Sequence, residues 1–323
     1  MNDERDTAKG AVISRRLAVG GIATLPVALA LPARAQSKPI RVGATYADTT
    51  AEGWYASKLG LFEKAGLNVE MTKFANSGTT MTAVLGRALD IGVSDTFSLA
   101  TAISRRAPFV IIAGAGMYRT QAPTTALCVP LDSPIKTAKD LVGKTVGVLG
   151  LRGATDIGTH AWLDRNGVKP EEVRYTEIPL PQAAPAIRRG TIDAGILAEP
   201  FLSQNKDKTV RVLGNIFDAV APEFFIANWF TSRAFYEQNQ KLVERFVDVV
   251  YQTANWANAH HEQSAPILSD ISKVPLATIE GMIRVAYGTS TNPALIDPVL
   301  TALYKYKFID HTMSAADVVA RPV

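Results

Sequence analysis

Two segments about a hundred residues apart share one pattern, and this repeat constrains the fold more than any other feature. Residues 82–95 read TAVLGRALDIGVSD, and residues 185–200 read PAIRRGTIDAGILAEP. Each pattern predicts a helix, a turn, and an aspartate two residues before a glycine in a short apolar strand. The aspartates, Asp90 and Asp193, are 103 residues apart, and two strands further upstream repeat at an offset of 104. The chain is therefore predicted to contain two α/β lobes built on one plan.

Short strands alternate with helices from residue 40 to residue 197, a pattern typical of parallel sheets with crossover helices. In the first lobe, the predicted strands are 40–44, 69–74, 91–93 and 109–113, and the predicted helices are 51–65, 79–87 and 99–105. In the second lobe, the predicted strands are 145–149, 173–178 and 194–197, and the predicted helices are 155–166 and 182–189. The predicted fold class is α/β, with two lobes that each contain a mainly parallel sheet flanked by helices.

The remaining segments define the predicted domain boundaries. Apolar, extended segments at 126–130 and 224–231 are predicted to cross between the lobes. The first lobe then comprises residues 37–125 and 228–323, and the second lobe comprises residues 126–227. The patterns at 238–260, 276–287 and 294–306 predict a helical C-terminal tail that packs on the first lobe.

The first 36 residues resemble an export signal. Arg15 and Arg16 precede an apolar run at 17–31, and Ala33-Arg34-Ala35 forms a small-x-small cleavage site. The paired arginines favour the twin-arginine route, but Ala18 and Val19 stand where that motif prefers a bulky apolar residue. The general secretory route therefore stays open. The sequence predicts a periplasmic protein released by cleavage of residues 1–36.

Composition limits the possible partners and cofactors. The chain has 34 basic and 30 acidic side chains, and five basic and three acidic ones lie in the first 36 residues. The rest is close to neutral and has no basic stripe with interleaved aromatics, so nucleic-acid binding is not expected. The single cysteine, Cys128, lies in an apolar run and is predicted to be a buried thiol. No metal-ligand spacing of histidines and no catalytic triad appears, so we expect no metal, no catalytic residues and no cofactor.

Four motifs carry a resemblance to a known family: residues 60–70 (GLFEKAGLNVE), 88–93 (ALDIGV), 140–148 (DLVGKTVGV) and 193–200. Their order and spacing resemble the solute-binding proteins of ABC importers for nitrate, sulfonates, taurine and thiamine precursors. The resemblance covers nearly all of residues 40–260. It implies a type II periplasmic-binding-protein fold, a ligand between two hinged lobes, a membrane permease as partner and a monomeric state.

Ligands of open parallel sheets bind beyond the carboxyl ends of the strands, and the family's binding positions fall on the same loops. This rule gives the candidate ligand-binding residues Tyr46, Asp48, Trp54, Ser77, Gly78, Thr79, Ser94, Asp95, Arg152, Gly153, Ala154, Thr155 and Glu199, to which the aromatic Trp229 is added. The Ser77–Thr79 and Gly153–Thr155 segments open helices, where free N–H groups can hold a sulfonate or carboxylate. Ordinary helix capping is the alternative for each segment.

Three acidic candidates favour a different ligand. Asp48, Asp95 and Glu199 would repel a simple oxyanion and suit an amine, an amidine or an aminopyrimidine, although Glu199 could instead stabilise its own turn. Arg119 and Arg152 could balance these charges. Among the aromatic candidates, Trp54 and Trp229 could stack on a flat ligand or pack in a lobe core.

The leading functional hypothesis is a non-catalytic solute receptor of an ABC importer for a small sulfonate-, nitrate-, taurine- or pyrimidine-like ligand. A rival is an enzyme of the same fold, similar to a pyrimidine synthase of thiamine biosynthesis that shares the Gly-Leu-Phe and Asp-x-Gly motifs. That enzyme carries a cysteine-rich iron motif, whereas this chain has one cysteine and an export signal. A third hypothesis is a periplasmic sensor subunit.

Overall fold

Two five-stranded sheets form the centres of the two lobes in the computed structural model, which describes residues 38–320. The predicted export signal at 1–36 lies outside these residues. Within residues 38–320, no helix is both long and apolar enough to cross a membrane. The strands are β1 (Ile40–Ala44), β2 (Val69–Lys73), β3 (Ile91–Asp95), β4 (Phe109–Gly114), β5 (Gly116–Arg119), β6 (Thr125–Pro130), β7 (Thr145–Val148), β8 (Arg174–Glu177), β9 (Ala194–Ala198), β10 (Val210–Gly214), β11 (Glu223–Phe225), β12 (Ala227–Ser232) and β13 (Ala286–Tyr287).

The two sheets have the same topology. In lobe 1 the strand order is β2-β1-β3-β12-β4, where β1 is parallel to β2 and β3, and β12 is antiparallel to both neighbours. In lobe 2 the order is β10-β6-β9-β7-β8, where β7 is parallel to β8 and β9, and β6 is antiparallel to both neighbours. This arrangement confirms the predicted α/β class with mainly parallel sheets.

Helices cover the sheets and form most of the chain after β12. They are α1 (Glu52–Lys58), α2 (Leu61–Lys64), α3 (Ser77–Leu85), α4 (Thr96–Ser104), α5 (Ala154–Arg165), α6 (Leu180–Arg188), α7 (Phe201–Asn205), α8 (Arg233–Gln238), α9 (Gln240–Ala259), α10 (His261–Ser272), α11 (Leu276–Gly281), α12 (Asp297–Lys305) and α13 (Ala315–Val318). In the tail, α9 packs on α1 and α2, whereas α11 contacts α7 of lobe 2.

The repeated aspartate has the same role in both lobes. Asp90 accepts a hydrogen bond from the backbone N–H of Arg41 at 2.8 Å, and Asp193 accepts one from the N–H of Thr145 at 2.8 Å. Each carboxylate therefore ties the strand that follows it to the parallel strand beside it, which is β1 in lobe 1 and β7 in lobe 2. The nearby glycines allow close packing, since a Cβ on Gly43 would lie 2.4 Å from a Leu89 methyl group.

Several elements differ from the prediction. The helix predicted at 51–65 is two helices, because Gly60 adopts a left-handed conformation with a φ of 66° and ends the first one. The long tail helix predicted at 238–260 is α9 (Gln240–Ala259), and the short helix α8 (Arg233–Gln238) precedes it. The helix predicted at 276–287 ends at Gly281, and its last residues form β13.

The connections between the lobes also differ from the prediction. The segment predicted at 126–130 forms β6 in the lobe 2 sheet, and the segment predicted at 224–231 covers β11 and β12, of which β12 lies in the lobe 1 sheet. The chain passes between the sheets through β5 and β11, which pair antiparallel with Glu223 opposite Arg119. Two adjacent short strands therefore connect the lobes, an arrangement that can act as a hinge.

Candidate functional site

A cavity of about 510 Å³ lies between the two lobes. Lobe 1 lines it with residues at the carboxyl ends of β1, β2 and β3, and lobe 2 lines it with residues at the carboxyl ends of β7, β8 and β9. This is the position where open parallel sheets bind ligands. Its volume falls in the range of cavities that hold small organic molecules.

The first turn of α3 faces the cavity from lobe 1. Asn76 caps this helix, and its Oδ1 accepts a hydrogen bond from the N–H of Thr79 at 2.9 Å. Ser77 and Gly78, which line the cavity, are the first two residues of the helix. Their backbone N–H groups have no acceptor within the helix, because the first turn of any helix lacks one.

The first turn of α5 faces the cavity from lobe 2, and a carboxylate of lobe 1 already contacts it. Asp95 Oδ1 accepts hydrogen bonds from the N–H of Ser98 at 2.8 Å and from the N–H of Ala154 at 3.1 Å. The first bond caps α4 in its own lobe, and the second reaches the first residue of α5. Asp95 therefore lies between the N-termini of two helices.

Further hydrogen bonds join the lobes around the cavity. Asn76 Nδ2 donates to Glu177 Oε1 at 2.8 Å. Nearby, the backbone N–H of Asp48 donates to the carbonyl oxygen of Glu199 at 3.2 Å. The structure thus shows the lobes in contact around the cavity.

Arg152 lines the cavity but points its guanidinium toward the C-terminal segment. Its Nη2 donates to the carbonyl oxygen of Phe308 at 2.6 Å, and the guanidinium lies 5.0 Å from the centre of the Phe308 ring. Burial and the charge of Arg105 lower the pKa of Arg152 from its ordinary value. Arg119, the other arginine considered from sequence, pairs with Glu223 at 2.7 Å outside the cavity.

Much of the cavity wall is apolar. Ala47, Met81, Leu149, Leu180 and Ala198 contribute side chains from both lobes. Thr101 on α4 also lines the wall, and its Oγ1 is a buried atom without a hydrogen-bond partner among the described residues. A ligand with an apolar body and few polar groups would match this surface.

Eight of the residues predicted from sequence line the cavity together: Tyr46, Ser77, Gly78, Asp95, Arg152, Gly153, Ala154 and Thr155. Six others do not: Asp48, Trp54, Thr79, Ser94, Glu199 and Trp229. Each of these six has a structural environment of its own that explains its position.

Asp48 is fully buried and belongs to an ion pair rather than to the cavity wall. Its Oδ2 accepts hydrogen bonds from Arg284 Nε at 3.1 Å and from the N–H of Val285 at 2.9 Å. Tyr55 donates to its Oδ1 at 3.1 Å. This carboxylate therefore joins the segment after β1 to the segment before β13.

Both tryptophans pack in lobe 1. Trp229 on β12 is fully buried, and its Nε1 donates to Glu52 Oε2 at 2.8 Å. Burial raises the pKa of Glu52 well above its ordinary value, although this hydrogen bond opposes the rise. Trp54 packs against the core, with the Lys73 ammonium 5.7 Å from its ring centre.

The remaining three have local roles. The Thr79 hydroxyl donates a hydrogen bond to the carbonyl oxygen of Asn76 at 2.8 Å, as part of the cap of α3. Ser94 is buried on the opposite face of β3 from Asp95, because successive side chains of a strand alternate. Glu199 accepts hydrogen bonds from the Ser203 N–H at 3.0 Å and hydroxyl at 2.8 Å.

Sequence reasoning missed several polar residues of the cavity: Asn76, Ser98, Thr101, Arg105 and Glu177. Glu177 ends β8, so the rule about strand ends would have found it. The helix-capping position of Asn76 was a second usable signal. The exposed Arg105 follows the last residue of α4, and no sequence pattern places it near the cavity.

Comparison with known proteins places this chain in a family. A family model described as NMT1/THI5 like matches residues 49–264, which is well over half of the chain. The chain belongs to the NMT1/THI5-like family. This confirms the family resemblance inferred from the four sequence motifs.

Relatives of this NMT1/THI5-like protein include bacterial proteins described as candidate binding proteins. One from Brucella abortus is 28% identical over 257 residues, covering 77% of this chain and 76% of the relative. One from Bacillus subtilis, described as a candidate aliphatic sulfonates-binding protein, is 23% identical over 279 residues, covering 83% of this chain and 80% of the relative.

Solved structures establish the fold. The periplasmic aliphatic sulphonate binding protein SsuA from Escherichia coli aligns with a TM-score of 0.70 and 18% identity, covering 88% of this chain and 92% of that one. The periplasmic nitrate-binding protein NrtA from Synechocystis aligns with a TM-score of 0.74 and 17% identity, covering 87% and 84%. The NMT1/THI5-like chain therefore has the periplasmic-binding-protein fold.

Proposed function

We propose that this protein is a periplasmic receptor that binds a small organic ligand between its lobes and delivers it to an ABC permease. The observation that carries this proposal is the cavity of about 510 Å³, lined by strand ends of both lobes. Because each lobe supplies part of the wall, a ligand bound there would stabilise the closed arrangement over an open one. The paired β5 and β11 strands would serve as the hinge.

The relatives support a binding role. Both relatives described above carry names that refer to binding, and the two structures compared above are periplasmic binding proteins. A permease partner, a monomeric state and release from a cleaved signal at 1–36 belong to the same proposal. The Arg15-Arg16 pair favours the twin-arginine export route, and the general secretory route is the alternative.

A non-catalytic role belongs to the same proposal, and the names of the relatives, which refer to binding, support it. Among the residues of the described chain that line the cavity, none is a histidine, a cysteine or a lysine. Cys128 is buried in β6, where burial raises the pKa of its thiol to about 12. A thiol with so high a pKa is a poor nucleophile at neutral pH.

The size of the cavity favours an organic ligand over a bare inorganic anion. Nitrate has four heavy atoms and would fill a small part of about 510 Å³. The apolar side chains on both walls would remain solvated around such a small anion. A ligand with an alkyl or aromatic body would remove that surface from water and gain the corresponding stabilisation.

Thermal unfolding of residues 37–323 against a ligand panel tests this function. The panel contains taurine, alkyl and aryl sulfonates, nitrate, amines, amidines, aminopyrimidines and aromatic carboxylates. A ligand at about a hundred times its Kd adds about 2.7 kcal/mol of stability, which raises the melting temperature measurably. A panel without any stabilising member would contradict the proposed receptor function.

A further inference from the structure

We infer that the Asp95 carboxylate excludes oxyanions from the α5 end of the cavity, so that this end selects a ligand N–H donor such as an amine or amidine. This inference rests on the proposed receptor function and specifies the ligand's chemical class. It makes Asp95 a specificity-determining residue, and it gives Glu177 a supporting role at the opposite helix.

Lobe 1 alone fixes the position of Asp95. Its Oδ1 caps α4 by accepting from the N–H of Ser98 at 2.8 Å. Its own N–H donates to Ser77 Oγ at 3.0 Å. Because neither contact involves lobe 2, the carboxylate faces the start of α5 whenever the lobes approach.

The start of α5 is where an oxyanion would otherwise bind, and Asp95 takes that place. Its Oδ1 accepts from the N–H of Ala154, the first residue of α5, at 3.1 Å. An oxyanion directed at the same helix end would lie beside a fixed negative charge. Like charges at this separation repel.

The α3 end of the cavity also has a carboxylate. Glu177 accepts from Asn76 Nδ2 at 2.8 Å with Oε1 and from the N–H of Leu151 at 3.4 Å with Oε2. Both helix N-termini that face the cavity therefore have an acidic side chain of the protein nearby. A ligand that approaches either end meets negative charge rather than an unoccupied positive dipole.

The two arginines of the wall do not neutralise this charge. Arg152 directs its guanidinium to the carbonyl oxygen of Phe308. Arg105 follows the last residue of α4, so its backbone lies about 15 Å from that of Asp95 along a helix that rises 1.5 Å per residue. An anion bound at Arg105 would occupy a separate part of the cavity.

Asp95 also retains an oxygen for a ligand. Both hydrogen bonds to its carboxylate from described residues fall on Oδ1. Oδ2 lies 3.6 Å from the position that a Cβ on Gly153 would occupy, and Asp95 lines the cavity. An amine or amidine N–H could donate to Oδ2 while the lobes stay closed.

The test compares probes that share an apolar body and differ in the polar group. Benzamidine is paired with benzenesulfonate, and hexylamine with hexanesulfonate, and Kd is measured by calorimetry. We expect the wild type to bind the cationic member of each pair at least tenfold more tightly. Asp95→Asn should reduce that ratio at least tenfold, and Glu177→Gln should reduce it to a smaller degree.

The Asp95→Asn variant should fold, because asparagine caps helices as well as aspartate does and keeps an acceptor for Ser98 and Ala154. Asp132→Asn is the matched control, since Asp132 is exposed and does not line the cavity. It should leave the ratio unchanged.

Two outcomes would overturn the inference in distinguishable ways. If the sulfonates bind the wild type as tightly as the cations, or if Asp95→Asn leaves the ratio unchanged, Asp95 does not select the ligand, while the receptor function stands. If no probe and no panel member stabilises the wild type or any variant, the inference and the receptor function are both contradicted.

Discussion

Asp48 and Glu199 are both buried carboxylates, but only Asp48 is paired with a cation. Asp48 is bound by Arg284, whose side chain is 6% exposed. Glu199 receives two hydrogen bonds from Ser203, and burial raises its pKa to about 7 despite them. A burial effect of this size makes Glu199 a titrating group near neutral pH.

The raised pKa of Glu199 predicts a pH-dependent stability. Between about 4.5 and 7 the folded protein holds a proton on Glu199 that the unfolded chain releases, so the free energy of unfolding falls as pH rises through this window. The loss attributable to this group is about 3 kcal/mol at most. Glu199→Gln mimics the protonated acid and should remove this component. Chemical denaturation at pH 4.5 and pH 7.5 measures it, and identical pH dependence in both proteins would contradict it.

The Asp48–Arg284 pair should contribute far more to stability than a surface pair does. Arg284→Met leaves Asp48 buried without its cation, which should cost about 3–5 kcal/mol. Arg119→Met is the matched control, because the Arg119–Glu223 pair is about 44% exposed and should cost less than about 1 kcal/mol. Denaturant unfolding of both variants gives the comparison. If Arg284→Met and Arg119→Met lowered the free energy of unfolding equally, the buried ion pair of Asp48 with Arg284 would be contradicted.

The sequence did not predict that Asp48 pairs with Arg284. Arg284 is 236 residues from Asp48, and no local pattern connects them. The strand-end rule correctly brought Asp48 and Glu199 to the interlobe region. It could not determine which side chains turn into the protein, because that depends on partners from distant segments.

At the scale of elements, the sequence predicted the strands that are marked by apolar runs or by the repeat. The strands β1, β3, β7 and β9 were predicted at or close to their observed positions, because their apolar runs and the repeated aspartates mark them. The short strand β5 was missed and β11 was not separated from β12 in the segment predicted at 224–231, since each has at most four residues and is defined by its pairing in the sheet. Such pairings depend on tertiary structure rather than on propensity.

Two helices from different lobes are in contact outside the cavity. Asp164 at the end of α5 accepts hydrogen bonds from Lys305 Nζ and from the hydroxyl of Tyr306, both at 2.9 Å. Lys305 is the last residue of α12, which packs mainly on α4 of lobe 1. These contacts connect the lobes, and separation of the lobes would break them.

Loss of this contact should favour the open form. Asp164→Ala should raise the Kd of a stabilising panel ligand about three- to tenfold. Part of the binding free energy would then offset the free energy needed to bring the two lobes together. The free energy of unfolding should change by less than about 1 kcal/mol, since the contacts are exposed. Asp270→Ala is the control, because exposed Asp270 pairs with Lys58 and Lys273 away from the cavity. Unchanged affinity in Asp164→Ala would contradict this role.

At the scale of the whole molecule, the fold follows from one α/β plan used twice, with the helical tail packed against both lobes. The repeat predicted the two lobes and the cavity between them. It could not predict contacts that form only when the lobes meet, such as the bonds from Asn76 to Glu177 and from Ala154 to Asp95. These bonds hold the Glu177 and Asp95 carboxylates against the helix N-termini of the opposite lobe. The arrangement of charge in the cavity is therefore a property of the molecule with its lobes in contact.

The most direct test of the account is whether ligand stabilisation depends on this cavity. Ala75 is exposed and lines the cavity, so Ala75→Trp should fill part of it without disturbing the core. Ala277 is exposed on α11 and does not line the cavity, so Ala277→Trp is the control. The measurement is the rise in melting temperature caused by the panel ligand that stabilises the wild type most. We expect that rise to be lost in Ala75→Trp and retained in Ala277→Trp. An undiminished rise in Ala75→Trp would show that the ligand binds elsewhere and would contradict the account.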